Sequence, residues 1–360
     1  MKVMSIFGTR PEMIKMWGTL KKLDNLNFDH IMVHTGQNYT PELKDFFFND
    51  LGLRKPDYEL DIDTSSYANE VADVIKKSDA IMEKVKPDAL LILGDTYSGL
   101  SIMPATNRGI KTFHMEAGLR AWDNRMPEQR NRMLIDHMSS VLLPFRKYHR
   151  ENLIRENIHP SKIFVTGNAT FEVMRNFQDK IDESNILGQL GLSSKDYILV
   201  TAHRTEQVDD QRTLALIFDA IEKLGKELNK KVIFPMHPRT SSKLDNIKIP
   251  KDLIIIKPLG FYDFNKILKE SFCVLSDSGT AAEEGLFYKA PNVSLRTVSE
   301  RYETVESGGT IISGMDPDNI VESVRLATSI PWEVDYEFDE NHSSSSVVVN
   351  AIRSQITTFL

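Results

Sequence analysis

What is scarce in these 360 residues narrows the field first. A single cysteine, Cys273, lies in the apolar run FCVLS, so no disulfide or cysteine-based zinc site can be built and a small buried core residue is expected. Basic residues are not in excess: 44 Lys and Arg against 51 Asp and Glu leave a formal net charge of -7, which argues against a general nucleic-acid binder. Apolar runs stay short of the ~20 residues that a membrane span needs. The start, MKVMSIFGTRPE, reaches Gly8 and Arg10 too early for a signal peptide, so a cytoplasmic protein with no membrane insertion is expected. The glycine motifs G-x-G-x-x-G and G-x-x-x-x-G-K-[ST] are both missing, which counts against a nicotinamide cofactor. No H-E-x-x-H and no close His/Asp spacing supports a metal, so neither metal nor cofactor is expected.

What is there is an alternation. Short apolar runs (KVMSIFG, HIMVHTG, ALLILGD, KTFHME, VLLPF and KIFVTGN, then YILVTAH, KVIFPMH, LIIIKPL, FCVLSDS, NVSLR and GTIISG) are separated by amphipathic stretches such as PEMIKMWGTLKKLD. Near-continuous apolar runs suit parallel strands covered on both faces, and two such series predict an α/β protein of two Rossmann-like, doubly wound domains. The expected division is 1–170, carrying most of the catalytic acids, 171–344, and a serine-capped C-terminal helix over 345–360 that packs back on the first domain. Polar and glycine residues cluster just past the runs, as GTRPE, GDT, HMEAG, AHR, MHPR and SDSGT, where an open parallel sheet binds ligands. Two such edges facing each other would make a cleft.

Several side chains at those edges have chemistry to offer. Asp95, Glu116 and Glu128 are carboxylates at strand ends or a helix start, where burying unpaired charge is costly. Structural duties compete: Glu116 either pairs with Arg120 or serves a site, and Glu128 either caps its helix or does the same. His203 and His237 each end a strand and can move protons. In SDSGTAAEEG, Ser278 and Gly279 open a helix whose free N–H groups suit a phosphate, or Ser278 and Thr280 merely cap it. Arg10, Lys15 and Arg301 are candidate counter-charges, each also readable as a solvated surface residue. The stretch HMEAGLRAWDNRMPEQRNR holds Arg120, Arg125, Arg130 and Arg132, of which Arg125 and Arg130 read as solvated.

GTRPEMIK, TGQ, GDT, HMEAGLR, MPEQRNR, TGN, TAHRTE, HPR, DSGTAAEE and SERYE occur in this order over nearly the whole chain. Together they resemble the non-hydrolysing UDP-N-acetylglucosamine 2-epimerases, enzymes with the two-domain GT-B fold. FFNDLGLRKPDY, WDNRMPE, DSGT and GTIISG look more like the branch that forms UDP-N-acetyl-L-fucosamine from its talose epimer. The resemblance implies inversion at carbon 2 of the sugar by elimination of UDP and re-addition, with a UDP-sugar as substrate, no cofactor and a homodimer. It matches Asp95, Glu116, Glu128 and His203 to the catalytic and sugar-contact set. It matches Arg10, Lys15, Ser278, Gly279, Thr280 and Arg301 to UDP binding, chiefly at the diphosphate. Glu284 falls on the ribose-binding acid and Phe264 on a uracil contact, while Arg132 orders the acidic loop and reaches the substrate. Departures are Gln129 for a second glutamate, Tyr302 for a proline, Leu259 for a uridine-contacting glutamine, and NYTPEL after TGQ, which argues against activation by a second substrate molecule. Rival readings are a GT-B glycosyltransferase, a hydrolysing epimerase and a non-catalytic nucleotide-sugar sensor.

Overall fold

The chain builds two six-stranded parallel sheets, and the two have the same strand order. A computed structural model describes residues 1–36, 48–245, 247–333 and 341–356. Described residues up to 173, with the C-terminal helix, form one unit; those from 174 to 333 form the other.

In the first unit β1 (Lys2–Phe7), β2 (Asp29–His34), β3 (Tyr58–Glu59), β4 (Ala89–Leu93), β5 (Lys111–Met115) and β6 (Val141–Leu143) lie in the order β3-β2-β1-β4-β5-β6. All pairings are parallel, with Ser5 opposite Leu91 and Ile92 opposite His114. The helices are α1 (Arg10–Asn25), α2 (Tyr67–Val85), α3 (Ile102–Asn107), α4 (Pro127–Met138) and α5 (Lys147–Arg155). Every residue of β4 is buried, as expected of a central strand covered on both faces. Met4, Ile6, Leu90 and Ile92 pack one face against Val74 and Met82 of α2 and Ala105 of α3.

A helix at the unit boundary, α6 (Ala169–Asn176), leads into the second unit. There β7 (Tyr197–Thr201), β8 (Lys231–Pro235), β9 (Leu253–Ile256), β10 (Cys273–Ser276), β11 (Asn292–Ser294) and β12 (Thr310–Ile312) lie in the order β12-β11-β10-β7-β8-β9. Helices α7 (Gln211–Leu228) and α10 (Pro317–Ser329) bury Leu214, Ile217, Ile320 and Val324 on one face. Helices α8 (Phe261–Lys269) and α9 (Gly279–Tyr288) bury Ile267, Leu268 and Ala281 on the other. Cys273 is buried in this core.

The last described helix, α11 (Ser344–Ile356), belongs to the first unit and runs beside α1. Lys22 Nζ donates to the hydroxyls of Ser343, Ser345 and Ser346 at 2.7–2.8 Å, and Glu172 accepts from Ser343 Oγ, Ser345 Oγ and Ser345 N. Gly18 of α1 lets the helices approach: a Cβ there would sit 3.1 Å from Ser345.

Some expectations need correction. KIFVTGN is not a full strand: after a 3-10 turn at Pro160–Lys162, Ile163 makes one parallel bridge to Leu142, and Phe164 N and Thr166 N donate to Leu142 O and Pro144 O at 2.9 Å. FCVLSDS leaves the sheet after Ser276, because Asp277 turns to hold a loop, and NVSLR pairs only as far as Ser294. The two-residue β3 is too short to show a periodicity, and no apolar run announces it. NYTPEL and the first phenylalanine of FFNDLGLRKPDY lie outside the described residues.

Candidate active site

Strand order reverses between β1 and β4 in the first sheet, and between β7 and β10 in the second, which is where an open parallel sheet leaves a crevice at its strand ends. In both units a buried carboxylate ties together the two loops that leave the reversing strands.

In the first unit that carboxylate is Glu12. It is the third residue of α1, after Thr9 and Pro11, and its Oε2 accepts from the backbone N–H groups of Gly8 (3.1 Å) and Thr9 (2.8 Å), half of a capping box. Its Oε1 accepts from the hydroxyl of Thr96 (2.9 Å) and from that of Ser98, beyond β4. Burial pushes its pKa above the ordinary value, with the hydrogen bonds from Ser98, Thr9, Gly8 and Thr96 pulling the other way. The loops carrying Arg10 and Asp95 are thereby joined.

Three acids stand at this edge. Asp95 follows Gly94, whose φ of 74° is the left-handed turn glycine tolerates. Glu116 follows β5 with a φ of 64°, which a non-glycine residue adopts only when its surroundings enforce it. Those surroundings are charged: Lys15 Nζ lies 3.3 Å from Glu116, and Arg132 lies 3.8 Å from Glu116 while donating to Asp95. Asn131 adds a bond to the Asp95 carbonyl at 2.9 Å. Glu128 is half-buried in the first turn of α4, where the helix dipole favours an anion.

Beneath the acids runs a buried ionic chain. His114 of β5 contacts Asp136 through Nδ1 (2.8 Å) and the Gly94 carbonyl through Nε2 (2.7 Å). Asp136 also takes Gly118 N (3.1 Å) and an ion pair from Arg120 (2.8 Å), and Arg120 reaches both oxygens of Glu156 (2.7 and 2.6 Å). Burial alone would raise the Asp136 pKa; the hydrogen bonds and charges of His114 and Arg120 outweigh it and bring the group below the ordinary carboxylate value.

In the second unit the tying carboxylate is Asp277, fully buried. Its Oδ2 accepts from His203 N and Arg204 N, both at 2.7 Å, and its Oδ1 lies 3.3 Å from His203 Nδ1. The His203 ring is half-exposed, 6.0 Å from that of His237. Ser278 caps α9 by accepting from Ala281 N, and Gly279 and Thr280 open the helix. A Cβ at Gly279 would meet Arg301 Nε at 3.3 Å and Glu300 Oε1 at 3.4 Å, a tight fit against both side chains. Arg301 is buried against Glu283 (3.2 Å). Glu284 is buried on α9, raising the pKa of neighbouring Tyr288, on which burial acts first; Phe264 and Leu259 are partly buried against the core that holds Ile267 and Leu268.

Two sequence expectations change. Glu116 pairs with Lys15 and Arg132 and not with Arg120, because Arg120 turns inward to Asp136 and Glu156. Lys15 and Arg301 are not solvated: both are buried in ion pairs, and Arg10 is half-buried. Arg125 is exposed and pairs with Asp123. Asp95, Glu116, Lys15 and Arg132 stand together in the first unit, as do His203, Ser278, Gly279 and Arg301 around the β7 and β10 loops of the second. Glu12, His114, Asp136 and Asp277 were missed as site residues. The T-x-x-E spacing of a capping box was available for Glu12, whereas His114 and Asp136, 22 residues apart, had no local signal. Among the described residues no three His, Cys, Asp or Glu side chains gather as a metal cluster, and no helix is long and apolar enough to cross a membrane.

Residues 21–348 match the sequence profile of the UDP-N-acetylglucosamine 2-epimerase family. The UDP-N-acetylglucosamine 2-epimerase of Methanococcus maripaludis is 33% identical, over 98% of this chain and 98% of its own length. The UDP-2,3-diacetamido-2,3-dideoxy-D-glucuronate 2-epimerase of Pseudomonas aeruginosa is 32% identical, over 91% of this chain and 92% of its own. Among solved structures, the Methanocaldococcus jannaschii UDP-GlcNAc 2-epimerase in complex with UDP-GlcNAc and UDP superposes with a TM-score of 0.92 at 32% identity, covering 98% of this chain and all of that one.

Proposed function

This chain belongs to the UDP-N-acetylglucosamine 2-epimerase family and is an isomerase, and we propose that it inverts carbon 2 of a UDP-2-acetamido sugar without net hydrolysis. The observation that carries this reading is the gathering of Asp95 and Glu116 at the ends of β4 and β5, with Lys15 and Arg132 between and beside them. Carbon 2 has no adjacent carbonyl to acidify its proton, so the diphosphate must leave from carbon 1. A carboxylate takes the carbon 2 proton, the carbon 1–oxygen bond breaks, and UDP departs with the electron pair, leaving a 2-acetamidoglycal. A proton then returns to the opposite face of carbon 2 while a UDP oxygen re-forms the bond at carbon 1.

Asp95, Glu116 and Glu128 supply the proton-transfer groups, with Lys15 beside Glu116 and Arg132 beside Asp95 and Glu116. His203, oriented by Asp277, contacts the sugar. The N–H groups of Gly279 and Thr280, with Ser278, Arg301, Arg10 and Lys15, take the diphosphate, where they stabilise the leaving group. Glu284 takes the ribose, Phe264 the uracil, and Arg132 orders the acids. The active form is a homodimer, testable by light scattering.

UDP-N-acetylglucosamine and UDP-N-acetylmannosamine are the substrate pair that the relatives' activities favour. The segments WDNRMPE, DSGT and GTIISG favour a second pair, UDP-2-acetamido-2,6-dideoxy-L-talose and UDP-N-acetyl-L-fucosamine. Proton NMR in deuterated water with UDP-N-acetylglucosamine and the talose derivative in parallel tests both. Deuterium at carbon 2 with a new UDP-sugar epimer is the expected outcome, and the faster substrate assigns the pair. Accumulation of UDP and free sugar would mean hydrolysis instead. Unchanged substrates despite UDP binding would sink the epimerase reading in favour of a glycosyltransferase.

A further inference from the structure

His114 is fully buried and does not touch the groups assigned to proton transfer, yet its ring is bonded at both nitrogens. The two partners decide its chemistry. A backbone carbonyl, here that of Gly94, can only accept. Asp136 accepts as well: its other oxygen already takes Gly118 N–H and the Arg120 guanidinium, which is the bonding of a carboxylate and not of a carboxylic acid. A neutral imidazole has one donor and one acceptor and would set a lone pair against one of these oxygens. Satisfying both oxygens requires both nitrogens to donate, which among the ring's forms only the imidazolium does. The charges around it accommodate this: Asp136 from α4, Arg120 from the connection before α4, Glu156 after α5, and Glu116, the residue that follows β5.

The Gly94 end of this bond matters for the site. Gly94 makes the left-handed turn between β4 and Asp95, its N–H donates to Met115 O at 3.0 Å, and a Cβ on it would stand 3.7 Å from the Glu116 carboxylate. Holding its carbonyl fixes the direction in which Asp95 leaves the sheet. We propose that His114 is a positioning residue for the epimerisation, a buried imidazolium whose two N–H groups tie Gly94 to Asp136 and so fix the turn that presents Asp95. The kinetic consequence rests on the epimerase reading; the ring's state does not.

The test separates donor count from charge. Glutamine at 114 brings one donor and one acceptor to two acceptors, so one bond is replaced by a repulsive contact. In H114Q combined with D136N, the asparagine amide donates to the glutamine oxygen, the glutamine amide donates to Gly94, and the bond chain closes again without charge. We expect H114Q to lose about tenfold to a hundredfold in kcat with KM moved by less than about threefold. The double variant should regain most of that loss. Nitrogen NMR of histidine-labelled enzyme at about pH 8 should show one histidine with both ring nitrogens protonated, its signals absent in H114Q.

H114Q turning over at the wild-type rate would overturn the proposal, as would a double variant no better than the single one. A His114 ring with one unprotonated nitrogen would overturn it too, and that spectrum decides the matter even if H114Q does not fold. If wild-type enzyme epimerises no UDP-sugar, the functional reading fails alone, and the same spectrum still upholds or overturns the imidazolium.

Discussion

Arg120 and Arg125 lie five residues apart in one connection and do opposite things. Arg120 is fully buried between Asp136 and Glu156, whereas Arg125 stands in solvent beside Asp123. Removing one partner of a buried ion pair strands the other's charge, so Arg120→Ala is expected to lower stability by about 3–5 kcal/mol, read as a shift of the urea midpoint. Arg125→Ala should leave that midpoint and the turnover unchanged, since an exposed pair is screened by water. A charge count of this stretch shows that something is there, but not which arginine turns inward; that depends on Asp136 and Glu156, which enter only through the fold. The acids behave differently again. Asp95→Asn, Glu116→Gln and Glu128→Gln each keep the shape of the side chain and lose its proton-transfer capacity, with an expected fall of about 10²–10⁴ in kcat in the deuterium-exchange assay. A variant among them with full activity would drop out of the catalytic set.

At the level of helices and strands, local signals were good guides where the element is long or capped. Apolar runs located five of the six strands of the first sheet and all six of the second, because a strand buried on both faces has little choice of residue. The failures have local causes. The two-residue β3 carries no pattern, and KIFVTGN has the composition of a strand but lies beside β6 through a single bridge and backbone bonds to Leu142 and Pro144. Helix α10 shows a cap that sequence alone announces, DP followed by D and N: the Asp316 carboxylate accepts from Asp318 N (3.1 Å) and Asn319 N (3.0 Å). Asp316→Ala is expected to cost about 1 kcal/mol in thermal or urea unfolding, without effect on kcat. Helix α11 is held by more than caps. It buries Val348, Val349, Ala351 and Ile352, and deleting it uncovers the side of α1 that carries Gly18 and Lys22. A chain ending at residue 340 should lose at least about 3 kcal/mol in unfolding experiments.

Over the whole molecule, the buried carboxylates set the response to acid. Asp136 titrates below its ordinary value, and so does Glu172, where burial is outweighed by hydrogen bonds from Ser345 and Ser343 and the charge of Lys22. Their stabilisation is complete above the unfolded values of about 3.9 and 4.3 and is lost as pH falls through the lower folded ones. Glu12, raised mainly by burial, works the other way: its contribution declines as pH climbs from about 4.3 through its folded value. The expected outcome is an acid limb below about pH 4 in the unfolding midpoint, shallower in Glu172→Gln, which should also start from a lower midpoint at neutral pH. A limb unaltered in that variant would remove Glu172 from this account. Two repeated sheets and the strand-end location of the polar residues were legible in the sequence; the carboxylates that tie their loops were not, because each acts on residues that only folding brings near. The helix that returns to α1 has one more consequence, for the order in which the protein is made. Lys22 waits for Ser345, 323 residues later in the chain, so a ribosome has translated both sheets before the first can be covered. Until then the exposed side of α1 is the surface a chaperone would meet on the nascent chain.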